Sequence, residues 1–313
     1  TDSAFQNATP LREETFQKSN GILIPLLNQG IIPVVTGYIG ATHDGITTTL
    51  GRGGSDYTAA ILGNVLDAQE VWIWTDVDGV MTADPSIVHD AQVIQELTYD
   101  EVSEMAYFGA KVLHPKTMRP LMEKDIPIRV KNTFNPQSKG TCISSTTVQR
   151  PGKVSCVTAI RDVCLLTVRG KGMLGVPGVA ARTFSAVAAE NASVLMISQS
   201  SSEQSICFVI PKNDVERVIR SLQKELAFEI SRGDIDSVSA MEDVVIVTAI
   251  GAGMRHTPGV SARIFEALGS RHINVIAIAQ GSSEYSISMV ISASEADEAV
   301  RRIHQEVIIN GNQ

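Results

Sequence analysis

The sequence predicts an α/β fold in two parts, a strand-and-helix sheet domain followed by two copies of a smaller α/β module. Three observations carry this. Apolar, strand-like runs alternate with helical stretches through the first part. A polar, turn-rich stretch over residues 135–152 (NPQSKGTCISSTTVQRPG) then interrupts the pattern. Beyond it, residues 170–210 repeat at 251–291, an offset of 81 (251 − 170), without gaps and with about half the positions identical.

The elements of the first part follow in order. Residues 30–38 (GIIPVVTGY) read as a short buried strand rich in Ile and Val. A Gly/Thr-rich loop leads to a helix over 56–66, and residues 70–75 (EVWIWT) form the next buried strand. Thr98 and Glu101 make a capping box for a helix running to Tyr107. Pro115 opens a further helix ending near Lys124, and residues 126–130 (IPIRV) form another strand. Continuous apolar strands alternating with helices imply a parallel sheet covered on both faces. Ligands in such sheets bind beyond the carboxyl ends of the strands, which directs attention to the loops after Tyr38 and Thr75.

The turn-rich stretch divides the chain into 1–148 and 149–313, with the first repeat at about 163–230 and the second at about 242–313. Each repeat reads strand, Pro-Gly turn, amphipathic helix, strand, turn, strand, helix. The predicted elements are 164–169, 179–190, 193–198, 205–210 and 214–225, then 244–250, 260–270, 274–279, 286–291 and 295–307. That order is the ferredoxin-like βαββαβ pattern, less one strand.

Composition narrows the function. A chain of 313 residues, 43% hydrophobic, suits two or three domains. A net charge of −8 argues against a nucleic-acid binder. No apolar run has membrane-spanning length and the start carries no signal-peptide pattern, so the chain reads as a soluble cytoplasmic protein without a membrane partner. Cys142, Cys156, Cys164 and Cys207 include no Cys-x-x-Cys pair and read as reduced thiols. The six histidines lack ligand spacing, and no structural metal is predicted.

Three segments carry chemistry. In TTTLGRGGSDYTA (47–59), Gly51, Gly53 and Gly54 let backbone N–H groups approach an anion, and Ser55 and Asp56 open a helix whose first amides favour negative charge. Arg52 adds a planar fork suited to a carboxylate. A plain glycine turn capped by Ser and Asp fits the same residues. Asp56 is the exception: a carboxylate in an anion site needs a cation, which suggests that it positions Lys or Mg²⁺ for phosphate chemistry. In WTDVDGVMTADP (74–85), Thr75 and Asp76 end a strand where a nucleotide would lie, and Asp78-Gly79 and Asp84-Pro85 are turn signals; two surface turns are the alternative. In FGAKVLHP (108–115), Lys111 follows the Gly109 that ends a helix and is placed to reach a phosphate or to stay solvated. Neither a Walker A sequence nor GxGxxG is present.

Taken in this order, TTLGRGGSDYTAA, WTDVDGVMTADP, ELTYDEVSEMAYFGAKVLHPKTM and IPIRVKNTFNPQSKGT resemble the aspartate kinases of the amino-acid-kinase superfamily, over nearly the whole chain. The resemblance implies a three-layer α/β/α kinase domain followed by two ACT domains, with residues 154–161 supplying the second module's missing strand. It implies ATP- and Mg²⁺-dependent phosphorylation of L-aspartate to 4-phospho-L-aspartate, the first step towards lysine, threonine, methionine and isoleucine. Arg52, Gly53, Gly54 and Ser55 would hold aspartate, and Asp56 would organise lysines around the phosphoryl group. Thr75, Asp76, Met81, Ser86, Lys111 and Val112 would line the nucleotide site, with Lys111 also catalytic. Ser86 and Met81 stand where many members have Arg and Tyr. The family's KFGGTS segment is absent, so the chain reads as beginning within the kinase domain and as inactive alone.

The same resemblance places an amino-acid effector, threonine or lysine, near Met173, Gly178, Val179, Ser193, Val194 and Gln199, at an interface between ACT modules of a homo-oligomer. Pro177-Gly178 and Pro258-Gly259 each start a helix whose free amides can take a carboxylate. Leu195 replaces an Asp common in the family, which favours threonine at least as much as lysine. A non-catalytic amino-acid-sensing regulator, derived from a kinase, is the rival reading.

Overall fold

The computed structural model describes residues 1–110, 113–146, 151–173, 176–199 and 204–312. These form two compact units, Thr1–Asp84 with Asp90–Arg150, and Pro85–His89 with Pro151–Gln313.

In the first unit, helix α1 (Arg12–Asn28) precedes a hairpin of β1 (Ile39–Ala41) and β2 (Thr47–Thr49), with Ile39 opposite Thr49. Helix α2 (Gly54–Val65) leads into β3 (Val71–Thr75). Then come β4 (Glu96–Thr98), α3 (Tyr99–Tyr107), α4 (Pro115–Met122), β5 (Ile128–Asn132) and β6 (Thr141–Ser144). The capping box forms as the sequence predicts. Thr98 Oγ1 accepts the Glu101 N–H at 3.1 Å, and Glu101 Oε2 accepts the Thr98 N–H at 2.9 Å. Val102 and Met105 on α3 are buried, as are Leu97 and Ile143 on β4 and β6 and Met118 and Leu121 on α4.

The sheet, in the order β3-β5-β6-β4, corrects three expectations. It is mixed, not all parallel: β3 with β5 and β4 with β6 are parallel, but β5 and β6 are antiparallel. The connection over 133–140 is too short for a crossover, which takes about a dozen residues or more, so the chain turns straight back. Gly140, at φ 70°, makes this turn possible; a Cβ there would lie 2.0 Å from the Val130 carbonyl oxygen. Consequently the turn-rich stretch read as a boundary contains strand β6. Second, residues 31–36 form no strand, and Ile32 and Val34 are 86% and 97% exposed. Pro33 lacks the N–H that a central strand must donate. Third, β3 lies at the sheet edge and buries only one face. Trp72 and Trp74 point outward, edge to face, with Lys131 Nζ over both rings at 4.8 and 5.5 Å from their centres.

The second unit is built on one antiparallel six-stranded sheet in the order β11-β12-β10-β7-β9-β8. Its elements are β7 (Cys156–Arg169), α5 (Val179–Ala189), β8 (Met196–Gln199), β9 (Ser205–Pro211), α6 (Val215–Glu225), α7 (Ala227–Arg232), β10 (Ser237–Ile250), α8 (Val260–Gly269), β11 (Ala277–Gln280), β12 (Ser286–Ser292) and α9 (Ala296–His304). The two long strands each serve both repeats. Residues 156–160 of β7 pair with 250–246 of β10, and residues 165–169 pair with 241–237. Asp162 and Asp243, both with left-handed backbone (φ 57° and 55°), mark the break between halves, where the register shifts. The first repeat buries Leu166, Phe208, Ile210, Val218 and Leu222 between sheet and helices. The second buries Val247, Met289, Ile264 and Ile303 in the same way.

Candidate active site and effector cleft

The glycine loop between β2 and α2 bounds a cleft of about 750 Å³, lined by Gln6, Tyr38, Thr49, Gly51, Arg52, Gly53, Gly54, Ser55 and Asp56. Its backbone requires glycine. Gly51 and Gly53 have φ 77° and 70°, and a Cβ on Gly54 would lie 2.7 Å from Tyr38 Cδ2. Gly53 is the N-cap of α2 and offers no side chain; the Gly54 N–H is taken by the Gly51 carbonyl at 3.0 Å, which leaves the Ser55 and Asp56 amides for a ligand. Tyr38 itself is held at φ 73°, with its N–H bonded to Thr58 Oγ1 at 3.0 Å. A non-glycine residue in that region is strained and marks a position fixed by its surroundings.

Arg52 is exposed and has no partner among the described residues. Asp56, half-buried in the first turn of α2, likewise has none, and burial pushes its carboxyl above the ordinary carboxylate range. The cleft therefore combines a free guanidinium, free helix amides and a carboxylate that lacks a cation. A Cβ on Gly63 would lie 2.4 Å from Val71 Cγ2, so the end of α2 rests on the start of β3. Ligands of such sheets bind beyond the carboxyl ends of the strands, the end of β3 that Thr75 closes.

At that end, Thr75 closes β3 and its Oγ1 donates to Asp76 Oδ1 at 3.1 Å. Asp76 and Val77 are exposed, and Val80 N–H returns to the interior by donating to Thr141 Oγ1 at 2.8 Å. Met81 pairs with Val93 in an isolated bridge that continues the same loop. Ser86 falls in the segment Pro85–His89, within the second unit. Lys111 and Val112 lie outside the described residues. Among the described residues, no cluster of three or more His, Cys, Asp or Glu could hold a metal, and no helix is long and apolar enough to cross a membrane.

In the second unit, Met173, Val176, Pro177, Gly178, Val179, Ala180, Gln199 and Ile206 line a cleft of about 350 Å³ at the start of α5. Gly178, at φ 89°, is a side-chain-free N-cap like Gly53. Four expected effector residues, Met173, Gly178, Val179 and Gln199, meet here. Ser193 and Val194 do not line it: they precede β8, where Ser193 is exposed and Val194 packs on the module core.

Several lining residues were not singled out from the sequence. Gln6 and Tyr38 lie far from GRGGSD along the chain and carry no motif of their own, whereas Thr49 falls within the segment 47–59 but was given no role. The positive φ of Tyr38 and the hairpin that pairs Ile39 with Thr49 bring Tyr38 to the glycine loop.

Comparison with known proteins agrees with this organisation. The Amino acid kinase family profile matches residues 5–132, and the ACT domain profile matches 166–226 and 247–307. The bifunctional aspartokinase/homoserine dehydrogenase 1, chloroplastic, of Zea mays is 43% identical over 281 residues, covering 88% of this chain and 30% of that protein. E. coli aspartokinase III in complex with lysine and aspartate superposes with a TM-score of 0.79 at 34% identity, over 98% of this chain and 67% of that one. The same protein in complex with aspartate and ADP gives 0.76 at 33% identity, with the same coverage. The chain spans about a third of the length of the first curated relatives it matches.

Proposed function

This chain belongs to the aspartokinase family, and from that premise we propose that its gene product transfers a phosphoryl group from ATP to the side-chain carboxylate of L-aspartate, giving 4-phospho-L-aspartate. The observation that carries this reading is the cleft at the start of α2, where a free Arg52 and uncapped helix amides face the same space as Asp56.

The acceptor carboxylate has a reference pKa near ~4 and is ionised at neutral pH. No general base is required; the difficulty is bringing one anion onto another, so catalysis rests on positioning and on positive charge. Arg52 and the amides of Gly53 and Ser55 would take the substrate carboxylates, while Gly54, whose N–H is bonded to the Gly51 carbonyl, would let the backbone approach the substrate closely. Thr75 and Asp76 would hold the nucleotide beyond the end of β3, and Met81, Ser86 and Val112 are the further residues that the family resemblance assigns to it. Lys111 would face the transferred phosphoryl group. Asp56 would orient such cations and, once paired, would lose the penalty of its half-buried charge. Mg²⁺ neutralises the phosphates when bound with ATP; it is characteristically held by one or two carboxylates plus phosphate oxygens, and Asp56 fits that donor set.

The cleft at Gly178 would take an end-product amino acid, threonine or lysine, through the free amides of α5 and the side chain of Gln199. Strands β8 and β11, which lie against each other, leave Ile197 and Ile278 49% and 45% exposed, and this apolar surface supports homo-oligomers formed through the ACT modules. The reaction would open a route to lysine, threonine and methionine.

Steady-state hydroxamate kinetics on the intact gene product test the substrate assignment. Arg52→Lys replaces a planar fork by a point charge and is expected to raise the KM for aspartate about tenfold, with a smaller change for ATP. An unchanged aspartate KM would remove Arg52 from the substrate site.

A further inference from the structure

The loops after β3 and β5 are tied together by hydrogen bonds that the reading above leaves unused. Asp78 Oδ1 accepts two side-chain amides at once, from Asn132 Nδ2 at 2.8 Å and Asn135 Nδ2 at 3.1 Å. Asn132 ends β5 directly opposite Thr75, the end of β3. Its amide is fixed from both sides, because Oδ1 accepts the Phe134 N–H at 2.9 Å while Nδ2 serves Asp78. Next along, the Thr133 N–H donates to the Thr75 carbonyl at 2.8 Å.

Beyond Asp78 the chain is equally constrained. Gly79, at φ 148°, has no room for a side chain: a Cβ would lie 2.6 Å from Thr141 Oγ1 and 2.8 Å from Val93 Cγ1. Asp76 and Val77 are thus exposed residues strung between two anchors, Thr75 on one side and Asp78-Gly79 on the other.

We propose that Asp78, Asn132 and Asn135 form a positioning clamp that holds Thr75 and Asp76 in the geometry that receives the nucleotide, an inference that rests on the nucleotide reading of those two residues. Asp78 is not paired with a cation among the described residues; its charge goes to two neutral amides. Hydrogen bonds to a charged acceptor are about twice as strong as neutral ones, and both amides come from the neighbouring strand's loop. The clamp therefore orders residues 76–78 before ligand arrives, so that the ordering cost does not fall on binding. The three are positioning residues: they act through Thr75 and Asp76.

The test is titration of the chain with ADP, followed by the fluorescence of Trp72 and Trp74, its two tryptophans, which lie on β3 just before the loop. Asp78→Ala and Asn132→Ala are each expected to weaken ADP binding about tenfold or more, the scale of one lost hydrogen bond to a charged group. The two share the Asn132–Asp78 bond, so the double variant should weaken binding by less than the two singles combined, exceeding Asp78→Ala only by the lost Phe134 N–H bond to Asn132. Asp78→Asn keeps an acceptor oxygen and should restore binding to within a few-fold of wild type, which a general loss of fold would not do. Asn135→Ala removes one bond of the pair and should fall between. An Asp78→Ala variant that binds ADP as tightly as a binding-competent wild type overturns the clamp alone. A wild-type chain that shows no ADP binding by fluorescence and calorimetry overturns the nucleotide reading and the clamp with it.

Discussion

Asp56 shows how a single residue can oppose stability where chemistry needs it. Its carboxyl is raised by burial and receives no cation among the described residues, so the fold penalises the charged form. The sign follows directly. A raised carboxyl contributes to stability while protonated, and that contribution is lost as pH rises from the ordinary carboxylate range through the raised value. At neutral pH the charge is therefore a net cost. Asp56→Asn keeps the shape and removes the charge, so the melting temperature of the first unit should rise by about 1–2 °C at pH 7. The gain should shrink below pH 4, where Asp56 is protonated anyway. Phosphoryl transfer should fall on the order of a hundredfold or more if Asp56 orients cations at the phosphoryl group. Melting curves of both proteins at pH 4 and pH 7, with turnover assays, check this. A variant less stable than wild type at neutral pH would show that Asp56 has a structural partner instead.

At the scale of elements, α3 is the most explicit link from sequence to structure. Thr98 and Glu101 alone announce its start, and both bonds of the box form. Thr98→Ala should cost about 1–2 kcal/mol, read as a lower denaturation midpoint with an unchanged slope in urea. Glu101→Gln, which can still accept the Thr98 N–H, should cost less; equal losses would contradict the reciprocal box.

Elements without such local chemistry were not legible. Helix α1 contains Gly21 and Pro25 and buries only Leu23, so no apolar stripe betrays it. Hairpin strands β1 and β2, three residues each, are too short to show alternation. Strand β6 hides in a polar stretch because only Thr141 and Ile143 face inward. Residues 31–36 fail in the opposite sense: apolar and β-branched, they look like a buried strand, but nothing pairs with them among the described residues. Of the site, the glycine loop was readable because its chemistry is local. Tyr38 and the Asp78 bonds to Asn132 and Asn135 were not, because they depend on which segments the fold brings together.

At the scale of the whole molecule, the second unit joins its two repeats through shared strands, and their strands β8 and β11 also lie against each other. The halves of β7 and β10 exchange between repeats, so neither repeat completes its sheet without the other's strand. Damage to one should therefore spread. Val247 is fully buried, opposite Ala159 on β7 and Met289 on β12. Val247→Asp would bury an unpaired charge there, a change in the class that costs about 4 kcal/mol or more. Hydrogen exchange should then rise not only over 244–250 but also over 165–169 in the first repeat. Protection retained at 165–169 would show that the repeats are energetically independent.

The account as a whole holds that one chain couples aspartate phosphorylation to amino-acid sensing. The most direct test is hydroxamate formation by the intact gene product from ATP, Mg²⁺ and L-aspartate, with L-threonine or L-lysine titrated in. The account predicts product that depends on aspartate and falls as one of the two amino acids is added, with Gln199→Ala blunting the inhibition but not the basal rate. No aspartate-dependent product, or a rate indifferent to both amino acids, would contradict it.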